Sequence, residues 1–287
     1  GKTVQVEGFK FIGDPQGGNL SGHGKATGEA FWKVSILLGD YLCWDCPLLV
    51  RPYAPPRKVC DLGCGLGLAG LVAATLLDPG DSVHLTDGDA AVVNRARVSI
   101  EANDTPSTVQ ASVLLWGDEE AQTELNRETV GTFDLCLASD VIYDPELAKG
   151  RAETLAKCVD ALLKPEDPQE LPLWHQTHES DWHSWIDCTV PVPVDGHRCR
   201  PMCVVAFHRR NVSLDVLTDA FENAGFEYHI PESLESDGYV EDIFAGRTED
   251  LTDLWESVIL CFTRARGIPS KNPTSVTENE IANGEAD

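Results

Sequence analysis

In the run Val59-Cys60-Asp61-Leu62-Gly63-Cys64-Gly65-Leu66-Gly67 a short apolar stretch ends abruptly in alternating glycines, and Leu68–Leu77 then carries a helical apolar pattern. Glycine at such a junction lets the backbone turn sharply and approach a ligand, while the free N–H groups that open the helix face the same space. Strand, glycine turn and helix in that order begin a parallel α/β unit, and the rest of the chain continues it. Val83–Thr86 and Val109–Leu115 read as further strands, with a helix at Ala90–Ala102 between them. Phe133–Val141 is nearly all apolar, as a central strand covered on both faces must be. Leu147–Leu163 reads as an amphipathic helix stopped near Pro165, and Cys203–Phe207 as a strand. Leu214–Ala224 reads as a helix ended by Gly225 at its C′ position, and Val258–Thr263 as the last strand. The expected fold is α/β, a doubly wound and mostly parallel sheet.

Other segments fall outside that rhythm. Residues 1–30 are glycine-rich with an alternating stretch at Thr3–Ile12, an N-terminal extension or hairpin. Residues 31–267 form the main domain, interrupted by an insertion at 166–201 that carries Trp174, Trp182, Trp185 and several histidines. Residues 268–287 hold almost no apolar surface to offset their ordering entropy, and read as a disordered tail. A net charge of −25 repels phosphate backbones and anionic lipid, which argues against nucleic-acid and membrane partners and favours a basic protein partner. The same charge would also serve solubility alone. Ten cysteines, several inside apolar runs (Cys60, Cys136, Cys261), read as buried free thiols of a reducing compartment. No signal peptide and no bilayer-length apolar run is present. A soluble, monomeric protein of the cytoplasm is expected, with the nucleus as the alternative.

The glycine loop admits more than one ligand. Gly65, Gly67 and Gly70 satisfy the dinucleotide pattern G-x-G-x-x-G, and Asp87 at the end of the second strand can hold ribose hydroxyls in either case. A glycine turn without a ligand is the plain alternative. Two acids favour S-adenosylmethionine. Asp61, two residues before Gly63, can receive an ammonium group, whereas dinucleotide phosphates need a site free of carboxylate. Asp140 closes the fourth strand, beside where a sulfonium would lie.

The set Thr27-Gly28…Trp32, Asp61–Gly67, Leu85-Thr86-Asp87, Trp116-Gly117 and Ala138-Ser139-Asp140-Val141-Ile142-Tyr143 resembles the seven-strand protein-lysine methyltransferases. That family includes the enzymes that modify calmodulin, chaperones and elongation factors. Its most specific piece is Asp140-x-x-Tyr143 after a buried strand; Phe207-His208-Arg209-Arg210 before a helix also fits. The resemblance implies a Rossmann-like class I methyltransferase with a seven-stranded sheet, S-adenosylmethionine as cofactor and a protein lysine as acceptor. It implies that Trp32, Gly63, Gly65, Asp87 and Trp116 line the cofactor, with Trp116 beside the adenine. Asp61, Cys64, Gly88 and Ser139 complete the candidate cofactor set. Asp140 and Tyr143 are the candidate catalytic residues, framing the channel where amine meets methyl. A lysine amine of pKa about 10.4 is mostly protonated at neutral pH. A carboxylate such as Asp140 can orient the incoming ammonium while desolvation lowers its pKa. A strand-end turn cap at Asp140 with Tyr143 as packing is the bland alternative. A protein histidine or a small molecule as acceptor, and a core that binds cofactor without turnover, are the functional ones.

Cys43-Trp44-Asp45-Cys46 has C-x-x-C spacing at what reads as a helix exit. Cys199, Cys203, Cys188, His175, His178, His183 and His197 could complete a zinc site. Cys203 opens an apolar strand, so no metal is expected. The acidic stretch Glu232–Glu256 reads as a solvated loop or a dock for a basic partner.

Overall fold

A computed structural model of the chain describes residues 2–6, 9–13, 34–50, 56–117, 131–165, 200–209, 211–231 and 257–265. Strands β1 (Lys2–Val6) and β2 (Phe9–Gly13) pair antiparallel, which places the expected N-terminal hairpin. β2 lies against helix α4 (Ala90–Glu101). Helices α1 (Val34–Trp44) and α2 (Pro47–Val50) precede the main sheet. The sheet is built from β3 (Lys58–Leu62), β4 (Ser82–Asp87), β5 (Thr108–Val113), β6 (Leu135–Ser139), β7 (Met202–His208), β8 (Phe226–His229) and β9 (Ser257–Arg264). Its order is β5-β4-β3-β6-β7-β9-β8. Neighbours from β5 to β7 pair parallel, and β9 runs antiparallel to both β7 and β8. A mostly parallel, seven-stranded, doubly wound sheet is thus what the chain forms.

Helices α3 (Leu68–Leu76), α5 (Ala148–Leu162) and α6 (Leu214–Asn223) supply crossovers with α4. Alternation along the strands divides the core between the two faces. On β6, Leu135 and Leu137 pack with α1 and α3, while Cys136 and Ala138 pack with α5 and α6. Both sets are fully buried, which is why this strand reads as an unbroken apolar run. Two helix starts carry side-chain caps: Asp89 accepts from Ala91 N at 2.7 Å to open α4, and Ser213 from Asp215 N at 3.4 Å to open α6. Gly225 ends α6 with φ +91°, as its C′ position requires.

The end of the sheet opposite the strand C-termini is fixed by buried charge. Arg57, 3% exposed, gives its N–H and Nε to Asp81 at 2.6 and 2.7 Å, and reaches Asp78 at 2.9 Å. Asp134 accepts from Lys58 N at 2.8 Å and from Lys164 Nζ at 2.6 Å, tying β3, β6 and the end of α5.

Several expectations need correcting. The fourth strand stops at Ser139 rather than Val141, because Asp140 turns to φ +54° and cannot continue a pleat. The third ends at Val113, short of Leu115. β8 was not legible, because only Phe226 of its four residues is buried and no alternation develops at this edge. The insertion at 166–201 lies outside the described residues apart from its last two positions. The tail at 268–287 and the acidic stretch at 232–256 lie wholly outside them.

Candidate active site

The C-terminal ends of β3 and β6 are where the chain changes direction across the sheet: β3 leads to β4 on one side, β6 to β7 on the other. Crevices at such switch points are where open α/β sheets take ligands. The glycine loop leaves β3 at this point. Cys64 N donates to Thr86 O at 2.8 Å and Gly67 N to Cys64 O at 2.8 Å, so the loop is laced to β4 and folded back on itself. Gly63 has φ +70°, and a Cβ there would stand 2.7 Å from Val141 Cγ1 and 3.5 Å from the Trp116 ring. A glycine at 63 is therefore required twice, by backbone conformation and by the close approach of two side chains. The same contacts show that the glycine loop, Trp116 and the segment after β6 meet in one place, though far apart in sequence.

Asp87 ends β4 with its carboxylate turned to the loop. Oδ2 accepts from Gly65 N at 3.2 Å and Oδ1 from Asp89 N at 3.0 Å. Burial raises its pKa, partly offset by these N–H donors. Gly88 follows on the exposed rim, where a Cβ would lie 3.4 Å from Leu115 Cδ1. Leu115 is 52% exposed, a large apolar side chain in water beside a candidate cofactor residue. Its place just before Trp116 was the signal that could have singled it out. Cys64 sits within the loop, partly exposed, its thiol pushed up chiefly by burial.

Asp61 is 1% exposed, and its Oδ2 accepts from Gly70 N at 3.0 Å. This carboxylate braces the first turn of α3 from beneath the loop, a structural task its spacing from Gly63 did not disclose. Gly70 makes the contact possible, since a Cβ there would be 2.1 Å from Leu85 Cδ2. Burial pushes the Asp61 carboxyl up to about 7, with the Gly70 N–H opposing and the Asp87 charge adding.

After β6, Ser139 Oγ is buried and makes no hydrogen bond among the described residues. Asp140, 6% exposed, holds φ +54°, the one positive φ among described residues other than glycine. Asp tolerates the left-handed region better than most residues, yet the strain must be held by the surrounding packing. Tyr143 is half-buried, with the Arg151 guanidinium of α5 5.1 Å from its ring centroid. Trp32 lies outside the described residues. Cys43 and Cys46 flank the end of α1, Cys46 buried in the core. No cluster of metal-ligating side chains occurs among the described residues.

A buried orphan hydroxyl, a glycine cradle against an indole and a strained strand-end aspartate thus stand together at the switch point of a doubly wound α/β sheet. Residues 21–181 match the sequence profile described as lysine methyltransferase, more than half of the 287-residue chain. The chain belongs to that family.

Among its relatives, the calmodulin-lysine N-methyltransferase of Arabidopsis thaliana is 33% identical over 142 residues, covering 48% of this chain and 42% of the relative. The protein N-lysine methyltransferase METTL21A of Mus musculus is 34% identical over 110 residues, covering 35% and 46%. These matches span less than half the length of either relative. Among solved structures, TrmN from Thermus thermophilus superposes with a TM-score of 0.46 at 16% identity, covering 80% of this chain and 48% of its own.

Proposed function

We propose that the chain transfers methyl groups from S-adenosylmethionine to a lysine side chain of another protein. The observation that carries this reading is the strand end Ser139-Asp140, a buried hydroxyl beside a strained and nearly buried carboxylate, set next to the Gly63 cradle. S-adenosylmethionine supplies a methyl group activated on a sulfonium, so the protein has mainly to align, desolvate and hold protons. The residues present fit such a ligand. Gly63 and Gly65 open room for it, and Asp87 is placed to accept from ribose hydroxyls. Asp61 offers a carboxylate to an ammonium, and Trp116 a flat apolar face. Cys64, Gly88 and Ser139 complete this wall, and the family motif adds Trp32 to the proposed cofactor set. Asp140 would orient the incoming ammonium while burial lowers its pKa, so that its proton passes to solvent and leaves the neutral amine that can attack. Tyr143 would wall the acceptor side.

A basic protein is the partner that a net charge of −25 favours. The eight described cysteines form no disulfide among the described residues, which supports a reducing compartment such as the cytoplasm. Transfer of radiolabelled methyl into a proteome from the same source tests the reading. Label in a protein band that digests to methyl-lysine is the expected result. Label only in methyl-histidine or in small molecules would overturn the acceptor, and no label at all would overturn the enzyme.

A further inference from the structure

The geometry points to Arg151 as a positioning residue that sets the Tyr143 ring over the acceptor side of the site. The inference rests on the proposed lysine acceptor for its meaning, and on α5 for its substance. Arg151 lies in the first turns of α5 with its backbone N–H on Leu147 O at 3.0 Å, so its Cα is fixed by the helix. The guanidinium carbon stands 5.1 Å from the Tyr143 ring centroid, within the range where a cation is held by the ring quadrupole. Tyr143 itself precedes the helix, in a segment without regular secondary structure. Its ring orientation therefore needs a tertiary contact.

The same face of α5 reaches the cofactor side. Thr154, three residues on and hence beside Arg151 on the helix surface, sits with Cγ2 3.1 Å from where a Gly117 Cβ would be. Gly117 follows Trp116, whose ring borders Gly63. One helix face thus touches Tyr143 with Arg151 and the Trp116-Gly117 turn with Thr154. Arg151 links the acceptor wall to an element that also borders the cofactor wall. The attraction is between a cation and the ring quadrupole, so a lysine ammonium at this position shares it.

The test uses the full-length protein with Arg151→Met, which keeps an apolar stem without charge, and Arg151→Lys, which keeps the charge. On any protein acceptor that the wild type methylates, R151M should lower kcat roughly 3–10-fold, R151K should recover most of it, and cofactor Kd should stay unchanged in both. A meta-fluorotyrosine placed at position 143 gives a second reading that needs no acceptor. Its fluorine NMR resonance should move toward the free amino-acid value in R151M and stay in place in R151K. An unmoved resonance in R151M, an unchanged kcat, or an R151K protein as impaired as R151M would overturn the inference. The lysine reading fails differently, through a wild type that transfers no methyl to lysine while the resonance still answers to Arg151.

Discussion

At Asp61 the stability of the fold and the proposed contact with the cofactor should respond to pH in opposite senses. Its carboxyl sits at about 7 in the folded protein against 3.8 ordinarily. Across that interval the folded state keeps a proton that the unfolded chain has released. Stability therefore falls as pH rises through the window and levels off above about pH 7. Asp61→Asn should flatten this slope while still accepting from Gly70 N, which melting curves at about pH 5 and about pH 8 would reveal. The proposed ammonium of the cofactor favours the ionised form, so wild-type affinity should rise with pH through about 7 and that of the variant should not. For Asp87 the expected loss is simpler. Asp87→Ala removes charge-assisted acceptors contributing roughly 1.5–3 kcal/mol each, so calorimetry should show binding of S-adenosylmethionine weakened at least about tenfold in a folded protein. Asp140→Asn keeps a residue that tolerates φ +54° but loses the charge. Methyl transfer should drop by about 100-fold or more with cofactor affinity and melting temperature nearly unchanged. A variant that turned over normally would make Asp140 a turn cap and nothing more.

At the scale of elements, the glycine loop and the segment after β6 pack against each other at Gly63 and Val141. Neither is explained by its own sequence neighbourhood. Gly63 is fixed by φ +70° and by Val141 and Trp116, which come from different parts of the chain. Gly63→Ala should cost roughly 1–2 kcal/mol from the backbone alone, before Val141 is displaced. Chemical denaturation should register that loss, and cofactor binding should fall with it. Strand and helix existence was legible here because burial imposes period: β6 as an apolar run, α5 and α6 as amphipathic helices. Helix α1 offered little beyond the exit inferred at Cys43–Cys46. Seven of its residues are buried, and a helix buried on most sides shows no stripe to read. The strand end at Asp140 was misplaced by two residues because Val141 is as apolar as the strand before it. The strain that ends the strand belongs to φ, which composition does not encode.

Across the whole molecule, the two ends of the sheet do opposite work. The C-terminal rim holds the strained Asp140 and the half-buried Tyr143, while the other end is locked by Arg57, Asp81 and Asp78. Arg57→Met leaves Asp81, with its side chain at 0% exposure, as a buried charge without its main partner. The expected cost is about 3–5 kcal/mol. Equilibrium unfolding should show it, while the cofactor affinity of the folded fraction stays near normal because the site lies at the other rim. A matching fall in affinity would mean that the two ends are coupled through β3 and β4. The chain's own pattern determined the α/β class, the order of most strands and helices, the glycine loop and the acids Asp61, Asp87 and Asp140, because local propensity and burial periodicity are written residue by residue. Only the tertiary structure decided that Asp61 braces α3 through Gly70, that Val141 and Trp116 close on Gly63, and that Arg151 faces Tyr143. Those contacts join segments whose separation along the chain carries no period. They exist only once the sheet has brought its strand ends to one rim.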